Sequence, residues 1–244
     1  MSVENGEWIM YGVDKDDPFC IHTVAELEKC IEEIGFLPLF RNEIPGFSVE
    51  ERTVVDYWWS GDAARDPWEW REIVARNRKI AYGKFFNGKA GFISREWIPY
   101  FANFKRDGYD FDSLWEDGKA NMRQKKVMDF FDEDSEIMSH ELKAKAGFGK
   151  GGEKNFDGTI TGLQMQMYLV MCDFRQKVNK KGEAYGWPIA VYCMPEHLYG
   201  YDLVSRAYKE SPKQSGNRIY NYIKERYPIA ADNQIKKVLG VVKQ

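Results

Sequence analysis

The chain has 244 residues, 43% of them hydrophobic and 30% charged, with a formal net charge of -3. That suits one or two globular domains with a sizeable core and excludes a disordered tail; no run approaches the roughly 18 apolar residues of a membrane span. The net charge hides an asymmetry: residues 1–138 carry a balance of -10, residues 139–186 carry +3 and residues 187–244 carry +4. A basic C-terminal part on an acidic N-terminal one fits a nucleic-acid surface confined to one region, and equally an uneven soluble protein.

Residues 1–7 lack the basic-then-apolar order of a signal peptide, so the cytoplasm is the expected compartment. Residues 23–34 read as a helix, with Thr23 as N-cap and Glu26 three residues on, a capping box. Gly35 stops it, residues 36–40 run extended, and residues 50–59 read as a second helix. Asp66, Pro67 and Glu69 mark a strong helix start, and that helix runs to Asn77. Two aromatic segments, 80–86 and 89–94, then flank Asn87-Gly88, a strong short hairpin signal. Ser94 is expected to cap a helix ending at Lys105. Residues 108–139 are acidic; within them residues 129–136 read as a linker or an exposed helix end, with a domain boundary near Asp134.

Residues 139–146 read as a short helix and 147–154 as a Gly- and Lys-rich turn. Phe156, Ile160, Leu163 and Met167 then recur at helical spacing. Residues 168–174 read as a strand, 175–186 as a basic turn and 187–194 as a returning strand. Helix, turn, helix, strand, basic tip, strand is the winged-helix plan. Lys150, Lys154, Arg175, Lys177, Lys180 and Lys181 fall on the turn and wing, where contacts to a DNA backbone need cations. The 159–166 face of the second helix is expected to approach bases. Helices at 203–208, 212–226 and 233–241 complete the chain.

The expected fold class is therefore α+β. A winged helix-turn-helix (135–194) lies between an N-terminal helix–hairpin–helix domain (1–134), for which a second winged-helix-like unit is the alternative reading, and a helical segment (195–244).

Other motifs carry less. Gly147, Gly149 and Gly152 match a dinucleotide fingerprint formally, but a helix rather than a strand precedes them. The paired carboxylates lie in polar stretches and read as solvated, although Asp56 beside Trp58 and Trp59, or Glu69 between Trp68 and Trp70, could have a raised pKa. Cys20, Cys30, Cys172 and Cys193 are too few and scattered for a disulfide framework or a zinc site, and Cys172 and Cys193 read as opposed buried thiols. With three histidines, His22, His140 and His197, there is little material for a His-based site, and no metal or cofactor is expected. The 15% aromatic content is first a statement about the core, with ligand or base stacking as the alternative.

The segment ELKAKAGFGKGGEKNFDGTITGLQMQMYLVMCDFRQKVNKKGEAYGWPIAVY resembles the winged-helix units of the bacterial AlkZ/YcaQ-like DNA glycosylases, and the chain resembles the AlkZ-related proteins. The cadence repeats in DPWEWREIVARNRKIAYGKFFNGKAGFIS. The resemblance implies tandem winged helices, a bacterial source, double-stranded DNA as partner and DNA repair as setting. It also implies excision of alkylated bases by a Gln-x-Gln pair that holds the attacking water; here that pair would be Gln164 and Gln166. Amides can position a water but cannot deprotonate it strongly, so such catalysis would rest on stabilising an oxocarbenium-like sugar. In that family the motif lies near the N-terminus, whereas here it lies far inside the chain, where both glutamines could equally be polar positions of a helix–strand junction. Three functions stay open at this point: a DNA-binding protein without catalysis, a glycosylase, and a protein-interaction module.

Overall fold

The computed structural model describes residues 2–4, 7–131, 135–179 and 181–240. Two short strands, β1 (Ser2–Glu4) and β2 (Glu7–Ile9), pair apart from the main sheet. Helix α1 (Val24–Ile34) starts at Thr23, whose hydroxyl accepts the Glu26 amide at 3.2 Å. The Glu26 carboxylate reaches one residue further back than a capping box expects and accepts from His22 N at 2.7 Å. Gly35 ends the helix at φ 88°, and a Cβ there would lie 2.4 Å from Trp97 Nε1. Strand β3 (Phe36–Pro38) follows.

The helix expected over residues 50–59 is replaced by two 3-10 turns, Glu50–Arg52 and Val55–Tyr57. Local side-chain bonds explain the difference. Thr53 is extended; its hydroxyl donates to Val49 O at 3.0 Å and accepts from Trp58 Nε1 at 2.9 Å. The buried Glu50 carboxylate accepts the amides of Tyr11 and Arg41. With Thr53, Val54 and Val55 β-branched, these bonds outcompete a continuous helix.

Helix α2 (Pro67–Asn77) starts as its residues predict, with Asp66 accepting from Trp68 N at 2.8 Å and from Gly61 N at 2.9 Å. Strands β4 (Ile80–Phe86) and β5 (Lys89–Ser94) are joined by Asn87 and Gly88 at φ 51° and 76°, the left-handed pair that a two-residue hairpin needs. Helix α3 (Ile98–Lys105) begins later than Ser94, which stays in β5 opposite Ile80; Pro99 sits in the first turn, where a missing N–H is harmless.

The acidic stretch holds two helices, α4 (Phe111–Glu116) and α5 (Met122–Met128), ahead of the residues read as a linker or helix end. Asp110 caps the first, and an Asn121/Gln124 capping box starts the second. Phe111, Leu114 and Val127 are buried, so these helices are anchored in the core. Asp134, the expected boundary, lies outside the described residues.

Then come β6 (Ile137–Met138), α6 (Ser139–Lys145), α7 (Phe156–Met165), β7 (Val170–Val178) and β8 (Ala184–Cys193). Both long strands run further than their apolar residues predict, which shortens the tip to residues 179–183. The C-terminal part holds α8 (Pro195–Tyr199), α9 (Tyr201–Val204), a 3-10 turn over Ser205–Lys209, α10 (Pro212–Arg226) and α11 (Asp232–Val238).

The architecture is mixed α and antiparallel β, with one six-stranded sheet of order β3-β5-β4-β7-β8-β6. It repeats internally. In each half a first strand pairs with the return strand of a hairpin that follows a helix: β3 with β5 after α2, and β6 with β8 after α7. The halves join at their free hairpin strands, β4 against β7 antiparallel, with Tyr82 opposite Met171. Strands on both sides of residue 134 thus share one sheet, and one apolar cluster runs through both halves among the described residues. Aromatic rings fill much of it: Phe36 packs edge-on against Trp97 at 5.0 Å and Phe101 at 4.9 Å.

Candidate nucleic-acid interface

The β7–β8 hairpin projects beyond the sheet. Asn179 organises its tip, accepting the Lys181 and Glu183 amides at 2.8 Å and 3.1 Å. Arg175 lies opposite Ile189 and Lys177 opposite Tyr185, so Gly186, Trp187 and Pro188 face Gln176 alone. That bulge is built from Gly186 at φ 74°, whose carbonyl accepts from Gln176 Nε2 at 3.2 Å, and from Pro188, which has no N–H for the ladder. It turns Trp187 outward to 84% exposure. Val178 at 65% and Tyr185 at 51% are also exposed on this hairpin. The Gly-Trp-Pro triplet inside a returning strand was the available signal for this aromatic surface, and reading those residues as plain strand misses it.

The expected cations divide. Lys150 and Lys154 lie exposed in the turn between α6 and α7, Lys181 is exposed at the tip, and Lys177 is half-buried on β7. None of these four has an ion-pair partner among the described residues. Lys180 lies outside the described residues. Arg175 lies within β7 rather than in a turn, and it is engaged: Nε meets Asp173 at 2.7 Å and Nη2 meets Glu136 at 2.5 Å. The hydrogen bond it donates to Asp173, with Glu136 beside it, holds its pKa above the usual guanidinium value.

The glutamine pair diverges. Gln164 is fully buried; its Oε1 accepts the Lys84 amide at 3.1 Å and its Nε2 donates to Ile160 O at 3.3 Å. Gln166 is half-buried and accepts from Gln124 Nε2 at 2.7 Å, across the gap to α5. The helix face expected to meet bases is largely occupied. Thr159 is buried with its hydroxyl on Asn155 O, and the Thr161 hydroxyl faces Lys84 Nζ at 3.5 Å. Asp157 and Gly158 are the exposed positions near its start.

The remaining candidates have structural partners or none. Cys172 and Cys193 are free buried thiols, the Cys172 Sγ lying 3.5 Å from Val191 O. The hydrogen bond with Cys172, together with burial, pushes the Cys193 thiol far up. Glu69 lies in the first turn of α2, and the His140 Nδ1 is buried with no hydrogen bond among the described residues. Residues 147–154 link two helices, as read, and the Phe148–Glu153 bridge closes them. No helix among the described residues is long and apolar enough to cross a membrane.

Compared with known proteins, residues 21–240 match the model of the AlkZ-related family. No curated protein matches the chain in sequence. Among solved structures, the Streptomyces sahachiroi DNA glycosylase AlkZ is similar at 9% identity and a TM-score of 0.46, over 92% of this chain and 60% of that one. The chain thus spans about three fifths of that structure's length. The family match covers the whole six-stranded sheet and all the helices, and by it this chain belongs to the AlkZ-related family.

Proposed function

We propose that this AlkZ-related protein binds double-stranded DNA through its β7–β8 hairpin and works in DNA repair. The observation that carries the reading is the tip itself: an outward-turned Trp187 beside Tyr185, with Lys177 and Lys181 unpaired among the described residues. Cations without local carboxylate partners lose little when they exchange counterions for phosphates, and an exposed ring wedges or stacks against bases. The repeated strand order of the two halves supports reading each as a winged helix. On this reading the hairpin is the wing of the second unit, and the wing rather than α7 carries the contact, because α7 spends its face on β4 and α5.

Gln164 and Gln166 serve packing on this reading, since each amide already holds a partner within the chain. The test is fluorescence-polarisation titration of labelled duplexes, undamaged and alkylated, across a salt series, with base release assayed in parallel. Binding that weakens steeply with salt is expected, and no affinity even at low salt overturns the reading. Release of alkylated bases that Gln166→Ala abolishes without loss of folding would restore the glutamines to catalysis.

A further inference from the structure

Helices α3 and α10 pack antiparallel, and the seam between them opens outward as a groove of about 570 Å³. The order of contacts gives the direction. Trp97 meets Tyr222 at 4.4 Å between ring centres, and the Arg218 guanidinium lies 4.7 Å from the Tyr100 ring centre. Further along, Phe104 fills the space that Gly216 leaves, where a Cβ would come within 2.6 Å of its ring. Trp97 is buried and Tyr100 and Tyr222 are half-buried, so the groove has an aromatic floor. None of its lining residues belongs to the β7–β8 hairpin.

Above the floor the walls are polar. Asn217 and Asn221 stand four residues apart on α10, both exposed, and neither side chain has a hydrogen bond among the described residues. Glu96, just ahead of α3, and Glu225, in the last turn of α10, bring two exposed carboxylates to the Trp97–Tyr222 end. Neither is ion-paired among the described residues. Arg218, the one cation in the described lining, is engaged by Glu210 at 3.3 Å.

A solvated helix face balances its charges with partners three or four residues away, but Glu225 has Tyr222 and Asn221 at those positions. It also sits at the negative end of the α10 dipole, where a carboxylate is unfavourable without a cation. The uncompensated charge repels a phosphate backbone, so this groove suits a partner of the opposite sign from DNA. The amides narrow the choice further. Asn donates and accepts at once, as pairing with a peptide group requires. Four residues of helix rise about 6 Å and two residues of extended chain about 6.7 Å, so Asn217 and Asn221 are spaced for alternate peptide groups of an extended strand. The aromatic floor then takes the apolar stems of its side chains.

We infer that this groove docks an extended segment of a partner protein that bears lysine or arginine, its backbone held by Asn217 and Asn221 and its cation by Glu96 and Glu225. The inference is independent of the DNA contact, because it uses other residues and the opposite sign of charge.

The experiment titrates the full chain into a fluorescein-labelled, end-capped octapeptide in which lysine alternates with alanine, read by fluorescence polarisation. The same peptide with glutamate in place of lysine is the control, and spermidine, a cation without peptide groups, is the competitor. Saturable binding of the lysine peptide is expected, and none of the glutamate peptide. Asn217→Ala/Asn221→Ala and Glu96→Gln/Glu225→Gln are each expected to weaken binding roughly tenfold, the scale of two hydrogen bonds or of two exposed charge contacts. All four residues are exposed, so both variants should keep the parent melting temperature. Should a pair fold poorly, Asn217→Ala and Glu225→Gln alone make the same comparison.

No saturable binding at low salt overturns the inference, and so does binding that the folded variants retain in full. Displacement by spermidine at a concentration equal to that of the peptide's lysines would show bare attraction of cations and overturn the peptide as occupant. An affinity for duplex DNA that falls in the asparagine variant would assign the groove to nucleic acid and overturn it as well.

Discussion

Arg76 on α2 and Asp173 on β7 meet at 2.8 Å, Nε to Oδ1, and so tie the helix of one half to the hairpin of the other. Asp173 also accepts from Arg175 Nε at 2.7 Å and from its neighbour's amide, Phe174 N, at 2.7 Å. Burial pushes the Asp173 carboxyl up, but the bonds from Arg76, Arg175 and Phe174 outweigh it and hold the pKa below the ordinary value.

A lowered folded pKa means that the unfolded chain takes up the proton first as pH falls. The stabilisation is therefore complete above the unfolded value of about 3.9 and is lost as pH drops through the lowered folded value. Asp173→Asn is expected to cost about 1–2 kcal/mol at neutral pH, the half-exposed Arg76 and Arg175 keeping the figure modest. Urea denaturation from pH 7 to pH 2 should show the two proteins converging at the acid end; a constant difference would mean that the carboxylate's charge is not the cause.

Gln164 gives a second junction between the halves. Its side chain is the acceptor for Lys84 N, a strand amide beside the β4–β7 pairing. Gln164→Ala leaves that amide without its partner and should cost about 1–3 kcal/mol, whereas Gln166→Ala, half-buried with one side-chain bond, should cost about 1 kcal/mol or less. Chemical denaturation orders the two; equal small losses would detach Gln164 from the junction.

What could be read in the sequence is what is local. Thr23, Asp66 and Asn87-Gly88 act on amides within a few residues, so their chemistry announces the elements they start. The pairing of Tyr82 with Met171 has no such signal, because it joins strands 89 residues apart through backbone groups that any residue supplies. The same limit applies to Gln-x-Gln at 164–166: spacing placed the motif at a helix end, but only the tertiary partners, Lys84 and Gln124, separate its two members. The acidic residues of 108–128 hide their helices, because Asp110 acts as a cap only in a context that Phe111 and Leu114 fix by burial. Arg71 carries no local signal, because its place between the Trp68 and Phe174 rings depends on a strand from the other half.

Arg106 at the end of α3 is a third long-range tie and a more buried one. Nη1 meets Glu196 at 2.5 Å and the Tyr208 hydroxyl at 3.1 Å, and Nη2 donates to Met167 O at 2.6 Å. Burial alone would lower its pKa, but Glu196 and Tyr208 raise it above the usual guanidinium value, so the buried arginine stays charged. Removing one partner should cost roughly 3–5 kcal/mol, and replacing both by methionine should recover much of that, since no unpaired charge remains inside. A double-mutant cycle by urea denaturation measures the coupling; purely additive losses would show that the two groups do not depend on each other.

The β7–β8 hairpin, as the proposed DNA contact, should make the opposite demand, affinity without stability. Trp187 is 84% exposed, so Trp187→Ala should leave the melting temperature within about 1–2 °C, the effect expected of a surface change under about 0.5 kcal/mol. Its cost should fall on DNA: a loss of affinity of about fivefold or more, the low end of one base–aromatic contact. Lys177→Ala/Lys181→Ala should act differently, weakening binding to all duplexes alike and making the slope of log affinity against log salt shallower by about 2, one counterion for each lysine. Measured together, the two variants separate the ring from the charges. If Trp187→Ala changes the salt slope while the lysine pair does not, then the exposed ring positions the hairpin and the cations lie off the phosphates, reversing the roles assigned to them here.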